Sequence, residues 1–318
     1  MRIFVGKNSM IWVLILSNAV LITGGRGFTA KNLAKLCKSH ELSYYFLNLE
    51  HDAEISKYLL TSDLGLTTQL NSVKDIYEFQ FTAVFHLATN YKHNYNQNDF
   101  EKLVEANLIL TNWLSDYCIS NSIPIISAGS FTQEMFSTTN SELSVYSNVK
   151  NAGEELLRWK RVNCNLKCIF TRQYESYGND DARDKILYRI IDSYLTGKDL
   201  TIPQTDLELD YLNILDICNA YYVIYLNMVR NKSTQPDKIE ISSRNPVKIS
   251  EILNFLNKRS GARFGNVYDT HDRNSSIPSK LSYFAEWPNS WEPKFSFWSD
   301  IEDLIQNRKK MQINGIQY

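Results

Sequence analysis

From residue 18 onward, short apolar runs alternate with longer stretches in which apolar positions recur every three or four residues. Ala19–Thr23, Tyr44–Leu47, Ala83–Leu87, Ile123–Ser127 and Lys167–Thr171 are runs of strand length, whereas Lys31–Ser39, Phe100–Asn121 and Ser147–Val162 carry helical periodicity. That alternation predicts an α/β fold: a doubly wound parallel sheet covered by helices on both faces. After Gly178 the pattern loosens. It predicts helices over Lys185–Thr196, Ile214–Val229 and Ile249–Asn257, a turn at Gly197, and an irregular aromatic and proline-rich tail, Trp287–Trp298, packed on a smaller second lobe.

Composition narrows the function classes. At 318 residues the chain has room for one large α/β unit with an appended lobe. Its 43% apolar content, with only 12 Gly and 7 Pro, excludes a collagen-like or largely disordered chain. Acidic and basic residues (35 and 34) are interspersed and nearly cancel, so no basic field for nucleic acid is expected. Cys37, Cys118, Cys164, Cys168 and Cys218 are odd in number and form no C-x-x-C pair, which fits core thiols in a reducing cytoplasm. Cys164 and Cys168 lack further ligands nearby, and no metal site is expected. The apolar run Met10–Leu16 is far shorter than the ~20 residues that span a bilayer, and no small-residue cleavage site follows it. Residues 1–17 are therefore read as an N-terminal extension, and no membrane partner is expected.

The first predicted strand runs into Thr23-Gly24-Gly25-Arg26-Gly27-Phe28-Thr29-Ala30 and then a helix. In that context the spacing has a physical reading. Gly24 permits a tight turn, Gly27 lets the backbone approach a pyrophosphate, and small Ala30 allows close helix packing, with the helix N-terminus facing the phosphates. About twenty residues on, an acidic residue would hold the ribose of NAD and a basic one the phosphate of NADP. The chain offers Asn48, which leaves both cofactors open; Arg26 in the loop tips the reading toward NADP(H) over NAD(H).

Tyr146 and Lys150 lie four residues apart on a predicted helix, so both project from one face. A free phenol titrates near 10, and an ammonium beside it favours phenolate, which predicts that Lys150 brings Tyr146 toward the working range. Just upstream, the strand Ile123–Ser127 leads into Ala128-Gly129-Ser130, which places a hydroxyl at the carboxyl edge of the sheet, where open α/β sheets bind ligands. Ser130 is the candidate to polarise a substrate carbonyl, and Ser127 competes with it.

Taken in order, these residues resemble the extended short-chain dehydrogenase/reductase family, the NAD-dependent epimerase/dehydratase type. The resemblance rests on Val20–Leu33, Val84-Phe-His-Leu-Ala88, Asn107, Ser130, Tyr146–Lys150 and Arg172–Gly178, with later landmarks at Leu209–Asp216, Arg273–Pro278 and Trp287–Phe295. It implies a Rossmann domain over 18–178, to which 210–243 return, and a nucleotide-sugar lobe formed by 179–209 and 244–318. By the same resemblance Ser130, Tyr146, Lys150 and Asn107 form the catalytic set. Gly24, Arg26, Gly27, Phe28, Asn48, Leu87, Ala88, Tyr146 and Lys150 line the cofactor groove, Asp63 holds adenine, and Thr89, Tyr91 and Arg273 meet a nucleoside diphosphate sugar. A homodimer is implied through the helices that carry Trp113, Tyr117 and Trp159.

The segment His86–His93 is similar to the CDP-abequose and CDP-paratose synthase group, reductases of 4-keto deoxysugars in surface polysaccharide pathways. His86 and His93 themselves read as structural. Dehydratases of the family carry an Asp-Glu pair beside the catalytic hydroxyl, and 3,5-epimerising reductases a Cys; here Phe131 and Thr132 follow Ser130. That leaves 4-keto reduction or 4-epimerisation. Three departures remain: Leu209 replaces an Arg that meets the diphosphate in many relatives, Asn179 replaces a proline, and the interval from Ser130 to Tyr146 is short. Arg172, Lys185 and Arg189 are the available substitutes for the missing cation.

Overall fold

Every residue of Ala19–Thr23 (β1) is buried, as a central strand with helices on both faces must be. The computed structural model describes residues 19–51, 56–70, 72–92, 95–135, 144–202, 204–230, 236–259, 264–269 and 280–313. After β1 come α1 (Phe28–Ser39), β2 (Ser43–His51), β3 (Ser56–Ser62), β4 (Thr67–Leu70), β5 (Ala83–His86) and α2 (Gln97–Val104). A π-helical segment, Glu105–Ile109, joins α2 to α3 (Leu110–Asn121). Then follow β6 (Ile125–Ser130), α4 (Thr132–Met135), α5 (Val145–Cys164), β7 (Cys168–Gln173) and β8 (Glu175–Tyr177). The remainder holds α6 (Ile186–Thr196), β9 (Leu200–Ile202), β10 (Glu208–Leu209), β11 (Tyr211–Asn213), α7 (Ile214–Val229), β12 (Lys238–Ile241), β13 (Val247–Lys248), α8 (Ile249–Asn257), β14 (Val267–Asp269) and α9 (Phe297–Ile313).

The main sheet runs β12-β7-β6-β5-β1-β2-β3-β4. Its pairings are parallel from β12 through β2. One face packs on α1 and α7 through Val20, Ile22, Leu33 and Tyr221, the other on α3 and α5 through Leu21, Leu114, Tyr117 and Leu157. The expected α/β, Rossmann-like architecture is therefore present. A second core joins α6, α8 and α9 around Ile190, Ile252 and Ile301, and the parallel pair β8–β11 lies at its junction with the main sheet.

Two expectations change. Beyond β2 the chain does not cross over but folds back: β3 pairs antiparallel with β2, and β4 with β3. Four residues separate β2 from β3, too few for a parallel crossover. Asp63 is thereby carried to the amino edge of the sheet, where its N–H donates to Tyr44 O at 3.0 Å. The aromatic tail also lies elsewhere than expected: Trp287 and Trp291 pack into the α1–α7 core of the main sheet, and α9 begins at Phe297. The N-terminal extension lies outside the described residues.

Candidate active site

At the end of β1 the chain turns through Gly24 with φ +71°, a region that a Cβ disfavours, and a Cβ there would stand 2.9 Å from Ala88 Cα. The turn closes by Gly24 N–H to Leu47 O (3.1 Å) and Gly27 N–H to Gly24 O (2.8 Å). α1 then starts with no side-chain cap and no acidic residue in its first turn. Twelve residues of aligned peptide thus end in N–H groups left for an anion. This cradle fits the pyrophosphate of a dinucleotide. Arg26 is exposed on its rim, and Asn48, two residues beyond the Phe46 ring that packs under Gly25, shares that face of β2. Phe28 sits beneath the Arg183 guanidinium, 4.5 Å from its ring centroid.

Buried His86 fixes the neighbouring groove. Thr111 Oγ1 donates to Asn107 O (2.7 Å), so it accepts from His86 Nε2–H (2.8 Å). Nδ1 is then the acceptor for Thr23 Oγ1–H (3.0 Å). Thr23 Oγ1 in turn accepts the N–H groups of Leu87 (3.1 Å) and Ala88 (2.9 Å). Burial, assisted by the Lys150 charge, lowers the imidazole pKa to about 3. His86 is a neutral structural link, as expected, and ties β1, β5 and α3 together; His93 lies outside the described residues.

The π segment presents Asn107. Its Nδ2 donates to Thr89 Oγ1 (3.2 Å), and the Thr89 hydroxyl also bonds Tyr146. Gly153 of α5 presses on this segment, with room for no Cβ: one would lie 2.2 Å from Asn107 O. Ser144 caps α5, and one turn separates Tyr146 from Lys150. Lys150 Nζ donates to Ala128 O (2.8 Å) and stands 5.6 Å from the Tyr146 ring centroid. Tyr91 packs edge-on against that ring, centroids 5.1 Å apart.

The electrostatics differ from the expectation drawn from the spacing. Burial raises the Tyr146 pKa above its ordinary value, with Thr89 opposing and Tyr95 and Tyr91 reinforcing. Burial and the Arg172 charge lower Lys150 to about 8, with Glu154 opposing. Desolvation therefore outweighs the mutual attraction of phenolate and ammonium, and the resting pair is a neutral phenol beside a weakly held proton.

Two serines share the edge of β6. Ser127 lines a cavity of about 20 Å³ with His86, Asn107, Lys150 and Gly153, room for one water. Ser130 ends the strand in a hydroxyl chain: its Oγ accepts from Thr132 Oγ1 (2.9 Å), which also bonds Ser147 Oγ (3.2 Å). Ser130 N–H donates to Gln133 Oε1 (2.8 Å).

Beneath them lies an ionic cluster that the sequence did not announce. Arg172, 3% exposed, pairs with Glu134 (2.8 Å) and Glu154 (2.7 Å), and Lys238 reaches Glu134 at 2.5 Å. Burial alone would raise the Glu134 carboxyl, but Lys238 and Arg172 hold it below its ordinary value. Only Arg172 had a signal, its place directly after the apolar run Lys167–Thr171; Glu134 and Glu154 sit on two helices whose approach is tertiary.

The other candidates disperse. Asp63 is at the opposite edge of the sheet and away from the groove; Arg273 lies outside the described residues. Leu209 is buried in the second core. Of the proposed substitutes for its missing cation, Arg172 is locked in the cluster, Lys185 pairs with Glu175 at 2.5 Å, and Arg189 donates to Thr201 O at 2.9 Å. Among the described residues no group of three or more His, Cys, Asp or Glu is placed to hold a metal, and no helix is long and apolar enough to cross a membrane.

No curated protein matches the chain in sequence. Solved structures do match in fold, each over 92% of this chain. The UDP-glucose 4-epimerase of Thermotoga maritima, solved with UDP-glucose, is 16% identical with a TM-score of 0.70 over 99% of its own chain. The UDP-glucuronic acid 4-epimerase of Bacillus cereus, solved with UDP-glucuronic acid and NAD, is 19% identical with a TM-score of 0.66 over 99%. TunA, an NAD-dependent NDP-hexosamine 5,6-dehydratase of tunicamycin biosynthesis, is 15% identical with a TM-score of 0.69 over 98%. Residues 20–241 match the NAD dependent epimerase/dehydratase family, and the chain belongs to that family.

Proposed function

We propose that the protein is an NAD(P)-dependent reductase of a nucleotide-linked 4-keto-6-deoxysugar, of the CDP-abequose and CDP-paratose synthase type, in surface polysaccharide synthesis. The observation that carries the reading is the neutral Tyr146 phenol. It stands one turn from Lys150 and across Thr89 from Asn107, beside an uncapped phosphate cradle. A phenol kept protonated is suited to give its proton to a carbonyl oxygen as the carbon beneath it gains a hydride. The nicotinamide, when bound, supplies that hydride at C4. Tyr146 delivers the proton, Ser130 or Ser127 donates to the carbonyl oxygen, and Lys150 holds the nicotinamide ribose. Thr89 and Tyr91 line the approach, with Arg273 assigned to the diphosphate. The cofactor is read as NADP(H) before NAD(H), because Asn48 supplies no carboxylate to a ribose and Arg26 stands on the rim. A cytoplasmic setting agrees with five free thiols, two of which burial raises to about 12 (Cys37) and about 11 (Cys168). The protein acts as a homodimer across α3 and α5.

Sugar 4-epimerisation is the second reading, favoured by two of the fold neighbours being 4-epimerases. Incubation with NADH or NADPH and a panel of nucleotide-linked 4-keto-6-deoxysugars distinguishes the two. A reductase consumes cofactor in step with product, whereas an epimerase interconverts sugars with no net consumption. Tyr146→Phe is expected to lower turnover about 10²- to 10⁴-fold; a loss under about threefold would remove Tyr146 from the role.

A further inference from the structure

A dinucleotide whose pyrophosphate rests on the Gly24–Gly27 turn and whose nicotinamide faces Tyr146 must lay its adenine toward β2 and β3. There the antiparallel return of the chain has changed what the sheet offers. β2 runs four residues past Leu47, the partner of Thr23, and β3 starts where a parallel strand would have ended. Asp63 leaves the carboxyl edge, and Tyr58, paired with Leu49, takes the edge instead. The Tyr58 ring lies on the sheet face that also carries Leu47, Leu60 and Ala88. Its hydroxyl reaches across to the π segment and donates to Glu105 Oε1 at 3.2 Å, two residues before Asn107. Ala88, which packs against the same cluster as Tyr58, abuts the Gly24 turn of the cradle, and both Tyr58 and Glu105 are half-buried.

We propose that Tyr58 and Glu105 recognise the adenine base, a role that rests on reading the cradle as a dinucleotide site. The adenine edge presents an amine donor beside the N1 acceptor. A carboxylate acceptor next to a phenol donor is the complementary pattern. Burial and the neighbouring Glu105 charge raise the Tyr58 pKa, so the phenol keeps its proton to give. On binding, the Tyr58–Glu105 bond opens: Glu105 accepts from the amine and Tyr58 donates to N1. Hypoxanthine presents the reverse pattern, a carbonyl acceptor beside an N1–H donor, and mismatches both groups.

The test is a set of equilibrium titrations, followed by nicotinamide fluorescence, with NADH, NADPH, nicotinamide hypoxanthine dinucleotide (reduced) and reduced nicotinamide mononucleotide. The wild-type protein is expected to bind the adenine dinucleotide at least about tenfold more tightly than the hypoxanthine analogue, as a site with paired polar groups does when both are left unmatched. Tyr58→Phe and Glu105→Ala are each expected to reduce that discrimination to within about threefold and to leave the mononucleotide affinity unchanged. Equal wild-type affinity for the adenine and hypoxanthine forms overturns the proposal by itself, whether or not the variants fold. Binding of none of the four ligands overturns the dinucleotide reading, and this proposal with it.

Discussion

Lys150 carries a cost in stability that its position in the groove explains. Its ammonium turns inward to Ala128 O, and burial together with the Arg172 charge lowers its pKa from 10.5 to about 8. The folded protein thus binds fewer protons at this group than the unfolded chain between pH 8 and 10.5. Below that window both states are protonated and the full penalty applies, up to ~3 kcal/mol from the size of the shift. Lys150→Met is therefore expected to melt higher than wild type at pH 7, with the gap closing as pH rises from 8 toward 10.5, while activity is abolished. Denaturant titrations at pH 7 and 10 read this directly; a variant no more stable than wild type at pH 7, or a gap of the same size at both pH values, would contradict it. The Tyr146–Lys150 spacing was legible in the sequence because four residues on a helix fix a shared face. Their protonation was not, because it depends on Tyr91, Thr89 and Arg172, which other elements bring over them.

The contact of α5 with the π segment is the element-level joint of the site. Gly153 lets the two backbones meet, and Asn107 on the far side of that contact holds Thr89 and through it Tyr146. Gly153→Val would force a Cβ to within 2.2 Å of Asn107 O and must push α5 outward. The expected result is a destabilisation of about 1–3 kcal/mol and a fall in kcat larger than the change in substrate KM, since the proton donor moves more than the binding surface. Steady-state kinetics with a thermal melt checks both, and a variant with wild-type kcat would separate the joint from catalysis. Sequence periodicity resolved α7 and α8 to their observed bounds, because a helix presents its core face locally. It left β3 and β4 unassigned, and the adenine role of Asp63 came from the resemblance, which carries no strand direction. The four-residue gap after β2 was the available signal against a parallel crossover, and Gly65 at φ +81° marks the next turn. α9 was also missed, although Phe297, Ile301, Leu304 and Ile305 are spaced for one helical face.

At the scale of the whole molecule, the second core meets the main sheet at the β8–β11 pair, while α3 and α5 cover the other face of that sheet and leave apolar side chains exposed. On α5, Val145 and Trp159 are two heptads apart on one line, 44% and 58% exposed, with Val162 at 82% beside them. Ile109, 47% exposed, ends the π segment that α5 packs on. Of the three aromatics expected to make an interface, Trp159 alone is largely exposed: Tyr117 is in the core and donates to Phe79 O (2.8 Å), and Trp113 is partly buried under Lys74. A solvent-facing Trp flanked by aliphatic side chains resembles the core of an interface more than ordinary surface. Trp159→Glu places a charge at the centre of that patch without touching the groove, the α5 cap or the Gly153 contact. Light scattering coupled to size exclusion at micromolar concentration is expected to give twice the chain mass for wild type and the single-chain mass for Trp159→Glu. The variant should keep its helical circular dichroism, which separates lost association from lost folding. A monomeric wild type under those conditions would defeat the dimer. A variant that remains dimeric would move the interface off α5, because an unpaired carboxylate buried between two copies costs more than such a patch returns.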